Sequence, residues 1–150
     1  MSAKSERYKR VCEQLEELFL KTQDPVSRMA TAVSILHNKF DHFYWTGFYR
    51  LVDDELVVGP YQGLVACLLL KKHTGVCWTA IDKNESIIVP DVHKFSGHIA
   101  CDSNSKSEIV IPVRDKNGIV TAVLDVDSTE LDSFDKDDEI GLTSIAQLIY

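Results

Sequence analysis

The sequence predicts an α+β domain built on an antiparallel sheet. Segments of helical period stand at both ends of the chain, and short apolar or aromatic runs lie between them. Neighbouring runs are joined by turn dipeptides, Asp53-Asp54 and Asn117-Gly118, a connection that antiparallel strands accept and parallel strands do not. Two N-terminal helices and a C-terminal helix are expected on one face of the sheet, with a long middle section closing over the other. The 150 residues fit a single domain, 1–150, large enough to bury a core without staples.

The elements follow in order. Residues 5–22 read as a helix with Val11, Leu15, Leu18 and Phe19 on one face, and Cys12 beside that stripe as a small boundary hydrophobe. Asp24 before Pro25 is the pattern of an N-cap followed by proline at the first helical position. Met29, Ala32, Val33, Leu36 and Phe40 give that second helix its apolar face. Residues 42–49 turn aromatic and β-favouring, and Gly47 inside them marks a bulge or a close approach. Residues 55–58 form the return strand of a hairpin, and Gly59-Pro60 and Gln62-Gly63 interrupt the chain after it. Residues 65–70 are an apolar run expected to be a strand carrying Cys67. Residues 76–82, after Gly75, are a short helical piece with Cys77 in its first turn, and residues 86–89 are a strand stopped by Pro90. Residues 108–113 and 119–127 are strands. Alternation puts Thr121, Val123, Asp125 and Asp127 on one face and Leu124 and Val126 on the other. The last helix starts near residue 135, with Leu142, Ile145, Ala146 and Ile149 at helical spacing and Asp137, Asp138 and Glu139 suited to its N-terminal dipole.

Charge and composition narrow the function classes. A net charge of −7 repels phosphate backbones and argues against general nucleic-acid binding; Lys4, Arg7, Lys9 and Arg10 read as a solvated helix face. No apolar run approaches the roughly 20 residues of a membrane span, and MSAKSERYKR has none of the apolar core of a secretory signal. The expected compartment is the cytoplasm, with the nucleus as an alternative. Four cysteines, Cys12, Cys67, Cys77 and Cys101, would be reduced there at rest, and no C-x-x-C pair supports a structural zinc site.

The chemistry concentrates in residues 90–112, an irregular stretch holding Asp91, His93, His98, Cys101, Asp102 and Glu108. A free thiol of pKa about 8.5 is only about 3% thiolate at pH 7, so a reactive cysteine needs help. Cys77 has a helix N-terminus to lower its pKa; Cys101 has His98 three residues away, opposed by Asp102. Each cysteine taken alone reads as buried filler, and each loop histidine as a polar surface residue. Three cysteines in turn-rich segments read as reactive. Glu108, Asp125 and Asp127 sit on strands with apolar flanks and no fixed lysine or arginine inside them. Buried acids of that kind need a cationic partner, and a ligand ammonium at ~4 Å would supply roughly 4 kcal/mol before desolvation at an effective dielectric of about 20. Trp45, Phe48 and Tyr49 either wall a pocket or fill the core.

The stretches WTGFY, VVGPYQGLVAC, GVCWTA, IIVPDVHKFSGHIACDSNSKSEIVIP and VLDVDS resemble the free methionine-(R)-sulfoxide reductases, a family of GAF-domain enzymes. The likeness covers nearly the whole chain. It implies a GAF fold with a six-stranded antiparallel sheet, a homodimer, and reduction of free L-methionine (R)-sulfoxide to L-methionine. It implies that Cys67, Cys77 and Cys101 match the redox cysteines, that Glu108, Asp125 and Asp127 match the pocket carboxylates, and that Trp45 and Tyr49 match the aromatic wall. It implies no bound cofactor or metal, with thioredoxin, fed by NADPH through thioredoxin reductase, as the reductant. On this expectation Cys101 attacks the sulfoxide, Cys67 resolves the sulfenic acid, Cys77 is the rival nucleophile, and Glu108 or Asp125 supplies the proton. Trp78 stands where the family usually has glycine and Ser96 where it usually has proline. A GAF small-ligand sensor with structural cysteines, a zinc protein using Cys77, Cys101, His98 and His93, and a cysteine hydrolase built on Cys101 and a histidine are the competing readings.

Overall fold

The computed structural model describes residues 1–97 and 103–150. The six-stranded antiparallel sheet runs in the order β3-β2-β1-β6-β5-β4, so the strands nearest the middle come from opposite ends of the chain. Its strands are β1 (Trp45–Val52), β2 (Glu55–Gln62), β3 (Leu69–Leu70), β4 (Ile87–Val89), β5 (Ser107–Arg114) and β6 (Val120–Ser128). Four α-helices accompany them: α1 (Ala3–Leu18), α2 (Pro25–Lys39), α3 (Gly75–Lys83) and α4 (Lys136–Ala146).

Period-2 alternation sorts the central strands onto two cores. Phe48, Ile109, Ile111, Leu124 and Val126 face α1, α2 and α4 in one apolar cluster, and Trp45, Tyr49, Val110 and Val123 face α3 in the other. The strand residues that build the first cluster are aliphatic or aromatic, and each Leu, Ile, Val or Phe buried there contributes about 1.5–3 kcal/mol. The expected three-helix face is therefore observed, with α3 covering the opposite side.

The ends of the elements follow local chemistry. Asp24 caps α2 by accepting from the Ser27 N–H, with Pro25 in the first turn. Asp53 and Asp54 both adopt positive φ, 51° and 64°, the left-handed pair that closes a two-residue hairpin. Asp115 accepts from the Asn117 and Ile119 N–H groups at the turn before β6.

Three expectations are corrected. Helix α1 stops at Leu18, and residues Phe19–Lys21 tighten into a 3-10 turn that carries Phe19 into the core and leaves Leu18 exposed; Tyr8 takes the place on the stripe expected of Leu18. The run at 65–70 is a strand only at Leu69–Leu70, which pair with Val57 and Leu56. Cys67 lies before it in irregular backbone, with Leu64, Val65 and Leu68 exposed and only Ala66 packed against the second core. Within 90–112 the chain is more regular than expected: Val92–Lys94 form a 3-10 turn capped by Asp91.

Asp138, expected to serve only the dipole of α4, is fully buried. Its carboxylate accepts from Lys4 Nζ at 2.9 Å, from the Tyr8 hydroxyl at 2.7 Å and from the Asp135 N–H at 2.9 Å, and it contacts His42 Nε2 at 3.1 Å. Asp135 and Asp138 form a reciprocal capping box. One side chain thus begins α4 and ties α1 to it.

Candidate active site

Strand register assembles an acidic cluster from residues distant in sequence. Glu108 on β5 lies directly opposite Asp127 on β6, and Asp125 lies opposite Val110 on one side and Gly47 of β1 on the other. Asp125 and Asp127 are two apart, so both side chains leave the same face. That face is the one under α3, whose first turn delivers Cys77. A sulfur of Cys77 and one oxygen each of Glu108 and Asp125 lie within 4.8 Å of one another, all three residues buried.

Burial with like charges dominates the electrostatics. Loss of solvent raises the Glu108 carboxyl well above its usual range; Asp125 and Asp127 raise it further, and it shares hydrogen bonds with both. Asp125 is also raised by burial, offset in part by hydrogen bonds from Glu108 and Cys77. Burial and like charge together favour a proton held between the two carboxyl groups. The Cys77 thiol is pushed well up by burial, then by Asp125, Glu108 and Asp127. The acidifying influence expected from the α3 N-terminus is overwhelmed, and Cys77 is held as a neutral thiol. Among the described residues Asp125 Oδ1 is buried with no hydrogen-bond partner. An orphaned acceptor in a buried site costs about 1–3 kcal/mol, so a ligand donor that meets it recovers that energy.

An aromatic wall stands beside the acids. The Trp45 ring is stacked between Tyr49, at 5.9 Å, and Tyr61, at 5.2 Å, and its Nε1 donates to the Leu64 carbonyl at 3.0 Å. Two glycines make room for the indole. A Cβ on Gly47 would lie 2.8 Å from Trp45 Cζ3, and one on Gly63, where φ is +124°, would lie 2.6 Å from Trp45 Cδ1. Of the two expectations for Gly47, the close approach is observed there, whereas the β1–β2 register shift between Gly47 and Tyr49 places its extra residue on β2, at Gly59-Pro60.

The GAF domain family matches residues 22–149. The chain is 46% identical over 148 residues to GAF domain-containing protein A of Dictyostelium discoideum, covering 98% of this chain and 92% of that protein. It is 45% identical over 124 residues to the free methionine-R-sulfoxide reductase of Escherichia coli, covering 82% of this chain and 74% of that enzyme. The chain belongs to the free methionine-R-sulfoxide reductase family of GAF-domain proteins. The fold agrees: the structure of the Neisseria meningitidis free methionine-R-sulfoxide reductase with its substrate superposes at a TM-score of 0.92, with 36% identity, over 99% of this chain and 89% of that one.

In this family member the structure brings together Cys77, Glu108, Asp125, Asp127, Trp45 and Tyr49, all on the α3 side of the sheet. Phe48 faces the other way, into the apolar core. His98, Cys101 and Asp102 lie outside the described residues. His93 is largely exposed and pairs with Asp91 at 3.4 Å. Among the described residues the cluster able to hold a metal ion is Cys77, Glu108 and Asp125, without His93. Its donors are protonated or proton-sharing groups, which a divalent ion must first strip. Trp78 packs away into the α3–β3 contact, donating from Nε1 to the Leu70 carbonyl at 3.3 Å. Cys67 is disulfide-bonded, whereas Cys12 and Cys77 are free thiols. Cys12 is half-buried, its pKa pushed up to about 11 by burial and then by Glu16 and Glu13. Tyr61 is the wall residue that sequence reasoning missed; its place at the end of β2, two residues before Gly63, carried no signal of a stacking partner.

Proposed function

We propose that this chain reduces free L-methionine (R)-sulfoxide to L-methionine. The observation that carries the reading is the buried acid cluster with its orphaned Asp125 Oδ1, set beside the Trp45–Tyr49 wall. A free amino acid has an ammonium to satisfy that oxygen, and a peptide-bound residue has none. The E. coli and N. meningitidis relatives bear the name of this activity, and the latter was seen with its substrate.

The chemistry balances with the residues available. The Cys101 thiolate attacks the sulfoxide sulfur, and the shared proton of Glu108 and Asp125 goes to the sulfoxide oxygen. The oxygen passes from the methionine sulfur to Cys101 Sγ as the S–O bond and the transient Cys–methionine S–S bond break, so methionine leaves as a thioether and Cys101 becomes a sulfenic acid. The Cys67 thiol then condenses with it, releasing water and forming a disulfide. That Cys67 is disulfide-bonded supports its role as resolver, and the free Cys77 serves as a hydrogen-bond donor in the acid cluster. Thioredoxin, kept reduced by NADPH through thioredoxin reductase, returns both cysteines to thiols by exchange. The enzyme acts in the cytoplasm as a homodimer.

The test is NADPH oxidation in a thioredoxin system with the separate R and S forms of free methionine sulfoxide and with a peptide-blocked form. Turnover with the free R form alone is expected. No NADPH consumption with any of them leaves a ligand-binding GAF module instead. Single-turnover methionine release without reductant checks the nucleophile: Cys101→Ser should release none, and full release would transfer the role to Cys77.

A further inference from the structure

Large apolar side chains are exposed unevenly over this protein. Among the described residues Leu64, Val65, Leu68 and Leu69 are 58%, 86%, 75% and 57% exposed, four within six consecutive positions. The other exposed large hydrophobics are scattered along the chain, at most two within any six positions. Singly exposed apolar residues need no explanation, but a local concentration marks a contact surface. The segment is anchored: the Leu64 carbonyl accepts from Trp45 Nε1, the Leu68 carbonyl accepts from the Val58 N–H at 3.0 Å, and Leu69 pairs with Val57. Its outward side chains are therefore held in place on the rim of the candidate site. In the middle of the segment stands Cys67, half-buried and disulfide-bonded.

We propose that residues 64–69 are the docking surface for a dithiol protein reductant, which delivers its attacking thiolate to Cys67 Sγ. The inference rests on the proposed reductase cycle and names the face that the recycling partner covers. Disulfide exchange requires the incoming thiolate in line with the S–S bond, so a protein reductant must seat its own surface against whatever surrounds the target sulfur. Here the flanking residues 64–69 carry no charge and expose four large apolar side chains, and a partner whose reactive dithiol sits in an apolar rim fits them. The partner's thiolate bonds to Cys67 Sγ and the S–S bond breaks, the other sulfur leaving as a thiolate that takes up a proton. The partner's second thiol then attacks the mixed disulfide, freeing Cys67 as a thiol and leaving the partner oxidised. Two electrons and two protons pass from the dithiol to this chain.

The experiment uses the full chain and the double variant V65S/L68S, two solvent-facing positions with no part in the acid cluster or the aromatic wall. Turnover of free methionine (R)-sulfoxide is measured with thioredoxin and, separately, with dithiothreitol. The expected result is a KM for thioredoxin raised about tenfold or more, as for truncation of interface anchors, with dithiothreitol-driven turnover within twofold of the parent. An unchanged KM for thioredoxin overturns the proposal, and so does a variant that instead changes its oligomeric mass, since the patch would then serve a second copy of the chain. Failure of dithiothreitol turnover in the parent protein would count against the reductase reading itself and is distinguishable on that ground. A thioredoxin lacking its resolving cysteine should be trapped as a mixed disulfide on Cys67; trapping on another cysteine also overturns it.

Discussion

Asp138 and Asp125 are both aspartates taken out of solvent, 0% and 5% exposed, and they have opposite characters. Burial alone would raise Asp138, but donors from His42, Lys4, the Asp135 N–H and Tyr8 outweigh it and hold the carboxyl well below the usual carboxylate range. Asp125 has acids and a thiol for neighbours, and burial leaves it raised with one oxygen orphaned. The first is satisfied by its own chain and stabilises the α1–α4 contact. The second is left wanting a donor, and under the proposed function the ligand supplies it. Depth of burial alone does not distinguish these two acids; the identity of their partners does.

Substitution at the two positions should split activity from stability. Asp125→Asn is expected to lower kcat/KM for the sulfoxide by about 100-fold or more, as for loss of a general acid, while the denaturant midpoint stays level or rises. If it unfolds the protein as readily as a change at 138, the distinction fails. Asp138→Ala should cost about 2–4 kcal/mol in chemical denaturation, with catalysis per folded molecule changed less than twofold. The pH dependence carries the same contrast with opposite signs. Asp138, depressed in the fold, gives stability that is present above its unfolded pKa of about 3.9 and lost as pH falls below it. Glu108 and Asp125, raised in the fold, bind protons that the unfolded chain has released, so stability falls as pH rises from about 4 through their folded values. Urea midpoints across that range should lose the acid limb in Asp138→Ala and flatten on the alkaline side in Asp125→Asn. The smallest effect is expected of Tyr8→Phe, which removes one donor from Asp138 and should cost about 1 kcal/mol with activity untouched.

The sheet and its helices were legible because their signals are local. Asp24-Pro25, Asn117-Gly118 and the alternation through 119–127 each determine backbone within a few residues. The common face of Asp125 and Asp127 followed from the strand period, Cys77 stood out by its place in the first turn of a helix, and the family motifs added Trp45 and Tyr49. The fate of Cys77 was not legible. Its helix position argued for a thiolate, and only the strand register reveals that three acids converge on it. Asp138 was missed for the same reason, since Lys4 and Tyr8 approach it across more than 130 positions and 130 positions of chain. Residues 65–70 looked like a strand because apolar runs usually are; β2 offers them only two paired positions, and Val65 and Leu68 beyond those are exposed.

The indole of Trp45 lies against two residues that have no side chain, Gly47 and Gly63, and this limits how the protein can be redesigned. Enlarging either glycine would drive the ring from its place, so neither offers a graded adjustment of ligand size. Anyone wishing to retune the site for a bulkier or smaller thioether has to leave both glycines alone and change residues that the indole does not rest on.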